Sequence, residues 1–192
     1  MSEIKVDKIS PQSGVALEGG DAGDTVTCSG TPVGFGGGKV LQVVQDTLTA
    51  PWTTTSTTYV EVGGSGNLSV SITPAATSKV LILGTVTGAV TAVSFGTVGI
   101  KRDSTLIHVG DASGSRQQGL QSLQVDQAGI TKQTSVVYLD THGADGSTAV
   151  VYSWQVQVVS GQTAWINTAN TDPDAAYYGR YASSIVAIEI GA

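Results

Sequence analysis

The sequence predicts an all-β protein: an antiparallel β-sandwich of the jelly-roll type, preceded by an extended N-terminal segment. Three observations support this prediction, namely the composition, the alternation of apolar and polar residues, and the short spacing of turn residues. Of the 192 residues only 12% are charged, whereas 25 are glycine and 40% are hydrophobic. Glycine and threonine are poor helix formers and Lys and Glu are scarce, so we expect the hydrophobic residues in strands.

Strands are predicted where apolar residues recur at every second position. Residues 67–73 alternate in this way, which is typical of a strand with one buried face. Residues 152–158 and 186–190 repeat the pattern, and Trp154 is expected in the core. Residues 79–83 are apolar on both faces, so we expect this strand to be covered on both sides. Further strands are predicted at residues 40–48, 58–62, 96–102, 105–109, 134–139 and 163–167.

Turn-forming residues separate these runs at short spacing. They are Pro51, Gly63, Gly64, Pro74, Gly88, Asp103, Ser104, Gly143, Gly146 and Gly161. Many short strands with such turns favour a two-sheet sandwich of the jelly-roll type. An immunoglobulin-like sandwich is the nearest alternative, although the Cys–Trp–Cys pattern of immunoglobulin domains is absent. Residues 116–128 contain three large apolar residues among several glutamines, and this pattern leaves both a short helix and an irregular loop open.

Residues 1–38 differ from residues 39–192, which form the predicted sandwich. The first segment holds short apolar stretches separated by glycine and proline, and each stretch is too short to bury a core. Such a segment becomes ordered by lying on another surface or by winding with copies of itself. The glycine-rich run 34–38 is interpreted as a flexible joint between the two parts.

Charge and targeting signals disfavour several classes of function. The formal net charge is −6 and Lys and Arg form no cluster, so direct nucleic-acid binding is not expected. The first residues do not resemble a signal peptide, and no apolar run reaches the roughly 20 residues that cross a bilayer. We therefore expect synthesis in a host cytoplasm without membrane insertion. Cys28 is the only cysteine, so an internal disulfide is excluded.

Both ends of the chain carry stretches that resemble one family of viral proteins. The opening SEIKVDKI at residues 2–9 is followed by GDTVT at residues 23–27 and by GGKVLQVV at residues 37–44. The remaining stretches are the threonine-rich run 53–58, residues 59–62, residues 68–74 and the closing SSIVAIEI at residues 183–190. Together they resemble the tail-fibre and related virion structural proteins of bacteriophages, particularly phages of marine and cyanobacterial hosts.

This resemblance implies a homotrimeric tail-fibre or adhesin subunit that recognises a host surface and is located in the virion. In that family the N-terminal segment typically attaches to the virion or trimerises. We therefore expect residues 1–38 to contact other virion proteins of the tail, baseplate or capsid. The chain has no long fibre shaft, which keeps a capsid decoration protein as an alternative. A fragment of a polysaccharide depolymerase is a third alternative.

The sequence contains no recognisable catalytic site, and we expect neither enzymatic activity nor a cofactor. Aspartates are scattered at turns, where they are favoured for local hydrogen bonds, and no nucleophile motif such as G-x-S-x-G occurs. His108 and His142 lie in different segments without the spacing of metal ligands. One loop nevertheless concentrates oxygen-bearing side chains that suit calcium. This candidate calcium site consists of Asn167, Asn170, Asp172 and Asp174.

Aromatic residues at strand ends and in the loop before the last strand are candidates for a binding surface. They are Trp52, Trp165, Tyr177, Tyr178 and Tyr181. Together with nearby Asn and Asp they offer stacking and hydrogen bonding to a host glycan. Subunit interfaces are also enriched in Tyr and Trp, and a role in an interface or in the core is the interpretation that we prefer.

Overall fold

A computed structural model describes residues 39–91 and 93–191, and every regular element in these residues is a β-strand. The strands are β1 Val40–Leu48, β2 Trp52–Thr54, β3 Val60–Glu61, β4 Ser69–Ile72, β5 Lys79–Val90, β6 Gly96–Arg102, β7 Thr105–Ile107, β8 Gln121–Ser122, β9 Lys132–Asp140, β10 Val150–Val158, β11 Ala164–Ile166 and β12 Ser183–Ile190. All of their pairings are antiparallel. The predicted antiparallel sandwich is confirmed. The predictions for residues 1–38, Cys28 among them, lie outside the described residues.

The first sheet, sheet A, is built around the long strand β5. On one side β5 pairs with β12 and then, further along, with β11, and on the other side it pairs with β9. Strand β1 pairs with β12, and β2 pairs with β11. Because β1 and β2 lie end to end, as do β12 and β11, sheet A is four strand positions wide.

The second sheet, sheet B, is built around β10 in the same way. Strands β4 and β3 pair end to end with one edge of β10, and β6 pairs with the other edge. Strands β7 and β8 then pair end to end with β6. Counted along the chain, the first strand position pairs with the last, the second with the seventh, the third with the sixth and the fourth with the fifth. This nested pairing, spread over two sheets, is the topology of a jelly roll.

The core fills the space between the inward faces of the two sheets. Tyr152 and Trp154 of β10 are fully buried there, which confirms the prediction for Trp154. The Trp154 Nε1 donates a hydrogen bond to the Ser184 carbonyl oxygen of sheet A, at 3.0 Å. A Cβ atom on Gly84 would lie 3.0 Å from this Nε1 and 2.7 Å from the Ser184 oxygen. Gly84 thus gives the indole the room to reach the opposite sheet.

Two local predictions are corrected or completed by the structure. Gly88 was predicted to break a strand, and this was wrong, because β5 continues through it to Val90. A Cβ atom at Gly88 would lie only 2.5 Å from the Trp165 carbonyl oxygen, so this glycine permits the close approach of β11. Residues 116–128 contain the two-residue strand β8 and otherwise irregular chain, with Leu123 buried. This resolves the choice between a helix and a loop in favour of the loop.

Candidate functional site

The outward face of sheet A carries aliphatic side chains on four neighbouring strands. The register aligns Val43 of β1 with Ile188 of β12, then with Leu81 of β5 and Leu139 of β9. The next row places Val186, Leu83 and Val137 side by side. We call this surface the apolar face, and it consists of Val43, Leu81, Leu83, Val137, Leu139, Val186, Ile188 and Ile190.

These side chains are more exposed than aliphatic residues in the core of a sandwich. Val137 is 71% exposed, Val43 is 56% exposed and Leu139 is 48% exposed. At about 4.8 Å between strands and about 3.4 Å per residue, the face measures roughly 20 Å by 14 Å, on the order of 300 Å². A patch of about 300 Å² is comparable to the largest apolar patch on a typical monomer, and such patches are often functional. The expectation that residues 79–83 are covered on both sides is met only in part, because the outward-facing Leu81 and Leu83 are half-buried. Further along β5, Thr87 and Ala89 of the same face are buried.

The outward face of sheet B is polar instead. Ser153, Gln155 and Gln157 of β10 point outward, yet all three are buried. The Gln155 Nε2 donates a hydrogen bond to the Ser153 Oγ at 2.8 Å. Polar side chains on this face are therefore shielded by neighbouring chain segments, whereas Val43, Val137 and Leu139 on the outer strands of sheet A are exposed.

Tyr59 is one of the residues that shield sheet B. Its hydroxyl donates a hydrogen bond to the Gln118 carbonyl oxygen at 2.7 Å. Gly99 and Gly119 leave space for the ring, since a Cβ atom on Gly119 would lie 2.5 Å from the tyrosine hydroxyl oxygen. Burial raises the pKa of Tyr59 to about 12, although a hydrogen bond with the Gln157 side chain acts in the opposite direction. The phenol thus stays neutral, and its hydrogen bond to Gln118 fixes the position of the ring.

A cleft of about 600 Å³ opens beside Tyr59 on this side of the molecule. Its lining consists of Trp52, Thr54, Tyr59, Val60, Glu61, Gly64, Ser65, Lys101, Asp103, Val151, Ser153 and Gln155. Two of its carboxylates are held by backbone amides: the Asp103 Oδ1 accepts from the Val151 N–H at 2.9 Å, and the Glu61 Oε1 accepts from the Gly66 N–H at 3.0 Å. We call this site the cleft.

The structure divides the five predicted aromatic residues among several places. Trp52 is half-buried, packs against the edge of the core and lines the cleft. Trp165 lies on β11 on the opposite face from the buried Ile166. Tyr177 and Tyr178 contact each other with ring centroids 4.7 Å apart, and this is the one ring contact within the set among the described residues. Tyr181 follows in the same loop and is 38% exposed.

Asn167, the first residue of the candidate calcium site, is fully buried and bonded to the protein. Its Nδ2 donates to the carbonyl oxygens of Leu48 and Ala50, at 2.7 and 3.2 Å. Its Oδ1 accepts from the Ser183 Oγ at 2.6 Å. The amide therefore ties the end of β1 to the start of β12, and its oxygen is already engaged by a protein donor.

The other candidate calcium ligands also contact protein groups. The Asn170 Oδ1 accepts from the Gly129 N–H at 2.8 Å. Asp172 forms a salt bridge with Arg180, whose hydrogen bond lowers the pKa of this carboxyl group. Asp174 lies in the same loop and is exposed. Within residues 39–91 and 93–191 no three His, Cys, Asp or Glu residues are grouped as metal ligands, and calcium binding stays a prediction.

A largely buried ionic network joins the two sheets. Asp140, at the end of β9 in sheet A, is 2% exposed and accepts two hydrogen bonds of 2.9 Å from the Arg102 guanidinium of sheet B. Its Oδ2 also accepts from the Tyr152 hydroxyl at 2.7 Å. Burial and the neighbouring carboxylate raise the pKa of Tyr152. The buried Asp140 carboxylate thus has a hydrogen-bond donor for each of its oxygens, as a buried charge requires.

The two histidines occupy separate environments. His142 is buried, its Nδ1 accepts from the Ala144 N–H at 2.9 Å, and its Nε2 lies 3.4 Å from the Ser78 Oγ. With Nδ1 accepting, the ring proton is assigned to Nε2. His108 is exposed and stacks on Tyr138, with ring centroids 4.7 Å apart. Each ring thus has a protein contact of its own.

Sequence reasoning missed both the apolar face and most of the cleft. Val137 and Leu139 were identified only as strand residues, and Gln155 was assigned only to a polar strand face. The available signal was the double-sided apolar run at residues 79–83, which indicated a second covered face. Which strands flank that run depends on pairings between distant parts of the chain.

Comparisons with known proteins add one structural similarity. No family model matches the chain, and no curated protein matches it. The chain is similar to a solved structure described as "Structure of infectious bursal disease virus Gx strain", with 12% sequence identity and a TM-score of 0.31. The match covers 92% of this chain and 44% of that chain, so this chain spans less than half of its length. No described residues form a helix long and apolar enough to cross a membrane.

Proposed function

We propose that this chain is a structural protein of a bacteriophage virion, a homotrimeric tail-fibre or adhesin subunit that assembles through the apolar face. The single observation that carries this proposal is the uncharged aliphatic surface on the outward side of sheet A. The resemblance of both chain ends to phage tail-fibre proteins supplies the biological setting. The proposed role is recognition and assembly, without catalysis and without a cofactor.

The corresponding faces of the two other subunits, arranged about a threefold axis, are the proposed cover of the apolar face. The two central rows of the face contain seven aliphatic residues and Gln45, and none of these eight residues is charged. Interfaces between identical subunits are more apolar than the remaining surface and are depleted of charge at their centre. At about 25 cal/mol per Å², covering roughly 300 Å² on each subunit contributes on the order of 7 kcal/mol per subunit before entropy losses.

The remaining parts of the chain fit this arrangement. Residues 1–38 are proposed to contact other virion proteins, as the family resemblance implies. Sheet B, with its cleft, faces away from the proposed subunit contacts because it forms the opposite layer of the sandwich. This leaves one side of each subunit available to a host surface.

The proposal is tested by the mass of the full-length chain in solution. Light scattering is expected to give three times the chain mass of 19.5 kDa. The variant Val137→Lys places a charge on the most exposed side chain of the apolar face and is expected to give a monomer. Val93→Lys is the matched control, because Val93 is 70% exposed and lies outside the face, and it is expected to remain a trimer.

Other masses would contradict the self-assembling fibre. A wild-type monomer at all accessible concentrations overturns it and favours the capsid decoration protein, whose partners lie in the shell. A trimer that is unchanged by Val137→Lys places the subunit contacts elsewhere and removes the observation on which the proposal rests.

A further inference from the structure

We propose that the cleft beside sheet B binds a neutral saccharide. The inference rests on the adhesin part of the proposed function and names its ligand class and location, independently of how the copies assemble. The volume of about 600 Å³ lies within the range of clefts that enclose small ligands. Its lining combines aromatic rings with hydroxyl, amide and ionic groups, which is the mixture that such a ligand requires.

The floor of the cleft supplies both donors and acceptors of hydrogen bonds. Gln155 and Ser153 line the cleft and are only 4% and 5% exposed, so each offers a ligand a small polar surface that the protein otherwise shields from water. The bond from Gln155 to Ser153 uses one of the two N–H groups of this amide. A sugar hydroxyl donates and accepts at once, and it can therefore pair with an amide oxygen, an amide N–H or a serine hydroxyl.

Two aromatic residues contribute apolar surface to the cleft. Tyr59 is held before any ligand arrives, because its hydroxyl is bonded to Gln118 and its ring lies against Gly99. Trp52 packs against the core on one part of its surface and lines the cleft with another. Sugar rings present C–H groups on their faces, and fixed aromatic surface binds such faces with little loss of side-chain entropy.

The charges in the cleft favour a neutral sugar over an anionic one. Lys101 is the one cation in the lining, whereas Glu61 and Asp103 are both carboxylates. Each carboxylate already accepts a backbone N–H but keeps lone pairs for a hydroxyl donor. A polyanion would meet this local excess of negative charge and the net charge of −6 of the whole chain.

The test is saturation-transfer NMR on the full-length chain with five neutral sugars, each at millimolar concentration. The probes are glucose, galactose, mannose, rhamnose and N-acetylglucosamine. At least one is expected to receive saturation, and its dissociation constant is then measured by titration. Trp52→Leu and Gln155→Leu are each expected to weaken that binding about tenfold or more, whereas Trp52→Phe, which keeps an aromatic ring, is expected to bind within about threefold of wild type.

Trp165→Leu is the matched control, because Trp165 is also a half-buried tryptophan of sheet A but lies outside the cleft. It is expected to bind the sugar as the wild type does. Absence of binding by all five sugars overturns the inference. So does a loss of binding in Trp165→Leu with normal binding in Trp52→Leu, which would move the site to the loop of Tyr177 and Tyr181. Light scattering on the same samples separates either result from a failure to assemble.

Discussion

The outward faces of the two sheets differ in a way that the shared fold does not require. Sheet A exposes aliphatic side chains, with Val137 at 71% exposure, whereas sheet B buries Gln155 beneath its own loops at 4% exposure. An isolated sandwich in water would be expected to do the reverse, since exposed aliphatic side chains and buried amides are both unfavourable. The difference is accounted for if sheet A is covered by another subunit and sheet B holds a binding cleft.

The two outward faces also differ in how firmly their side chains are held in place. The groups on sheet B are fixed by hydrogen bonds, such as those of Tyr59 and Asp103, which prepare a site before a ligand arrives. The groups on sheet A make few directional contacts, because aliphatic side chains in rows need only a flat and complementary partner. Under the proposed function, one layer of the sandwich serves selective binding and the other serves assembly.

The largest expected effect concerns the network that joins the two sheets. Asp140→Ala leaves Arg102 and the Tyr152 hydroxyl without their buried acceptor, and it is expected to lower the free energy of unfolding by about 3 kcal/mol. Urea unfolding followed by tryptophan fluorescence measures this change. Asp126→Ala, which removes an exposed carboxylate, is the control and is expected to change stability by less than about 0.5 kcal/mol. An equally small effect of Asp140→Ala would show that the two sheets are held together by apolar packing alone.

A smaller effect is expected from protein concentration. The proposed association through the apolar face would stabilise the folded state by mass action, so the wild-type Tm is expected to rise by on the order of 5 °C over a hundredfold increase in concentration. In Val137→Lys the Tm is expected to be independent of concentration, while Val93→Lys is expected to follow the wild type. Calorimetry at several concentrations measures all three. A concentration-independent wild-type Tm would mean that the exposed aliphatic rows do not assemble.

The strands were predictable because their signal is local. The bounds of β1 and β6 agree with the prediction residue for residue, since alternation and flanking turn residues lie within a few positions of each other. Trp154 was placed in the core for the same reason. The prediction of a strand break at Gly88 was wrong because a glycine in a sequence indicates a turn and a close approach between strands equally well.

The two surfaces were not predictable because they depend on distant pairings. Val43, Ile188 and Leu139 share one row with Leu81 only through the jelly-roll register. The cleft likewise combines Trp52 with Lys101 and Gln155, which belong to three different strands. The aromatic pattern drew attention to Trp52, which lines the cleft. The polar residues around it, Gln155 above all, have no local sequence signal of a binding site.

The smallest expected effect is the pH dependence of stability that arises from Tyr59 on sheet B. Because burial raises the pKa of Tyr59 from 10.0 to about 12, the folded state holds this proton more tightly than the unfolded state does. The contribution of the protonated phenol to the free energy of unfolding is complete below pH 10 and is lost as the pH rises through 12. Tyr59→Phe has no proton to lose, so its stability is expected to fall less than that of the wild type between pH 10 and 12. Urea midpoints across this range measure the difference. Parallel loss in both proteins would show that the phenol already faces water, and the cleft would then lack the fixed aromatic wall on which selective binding depends.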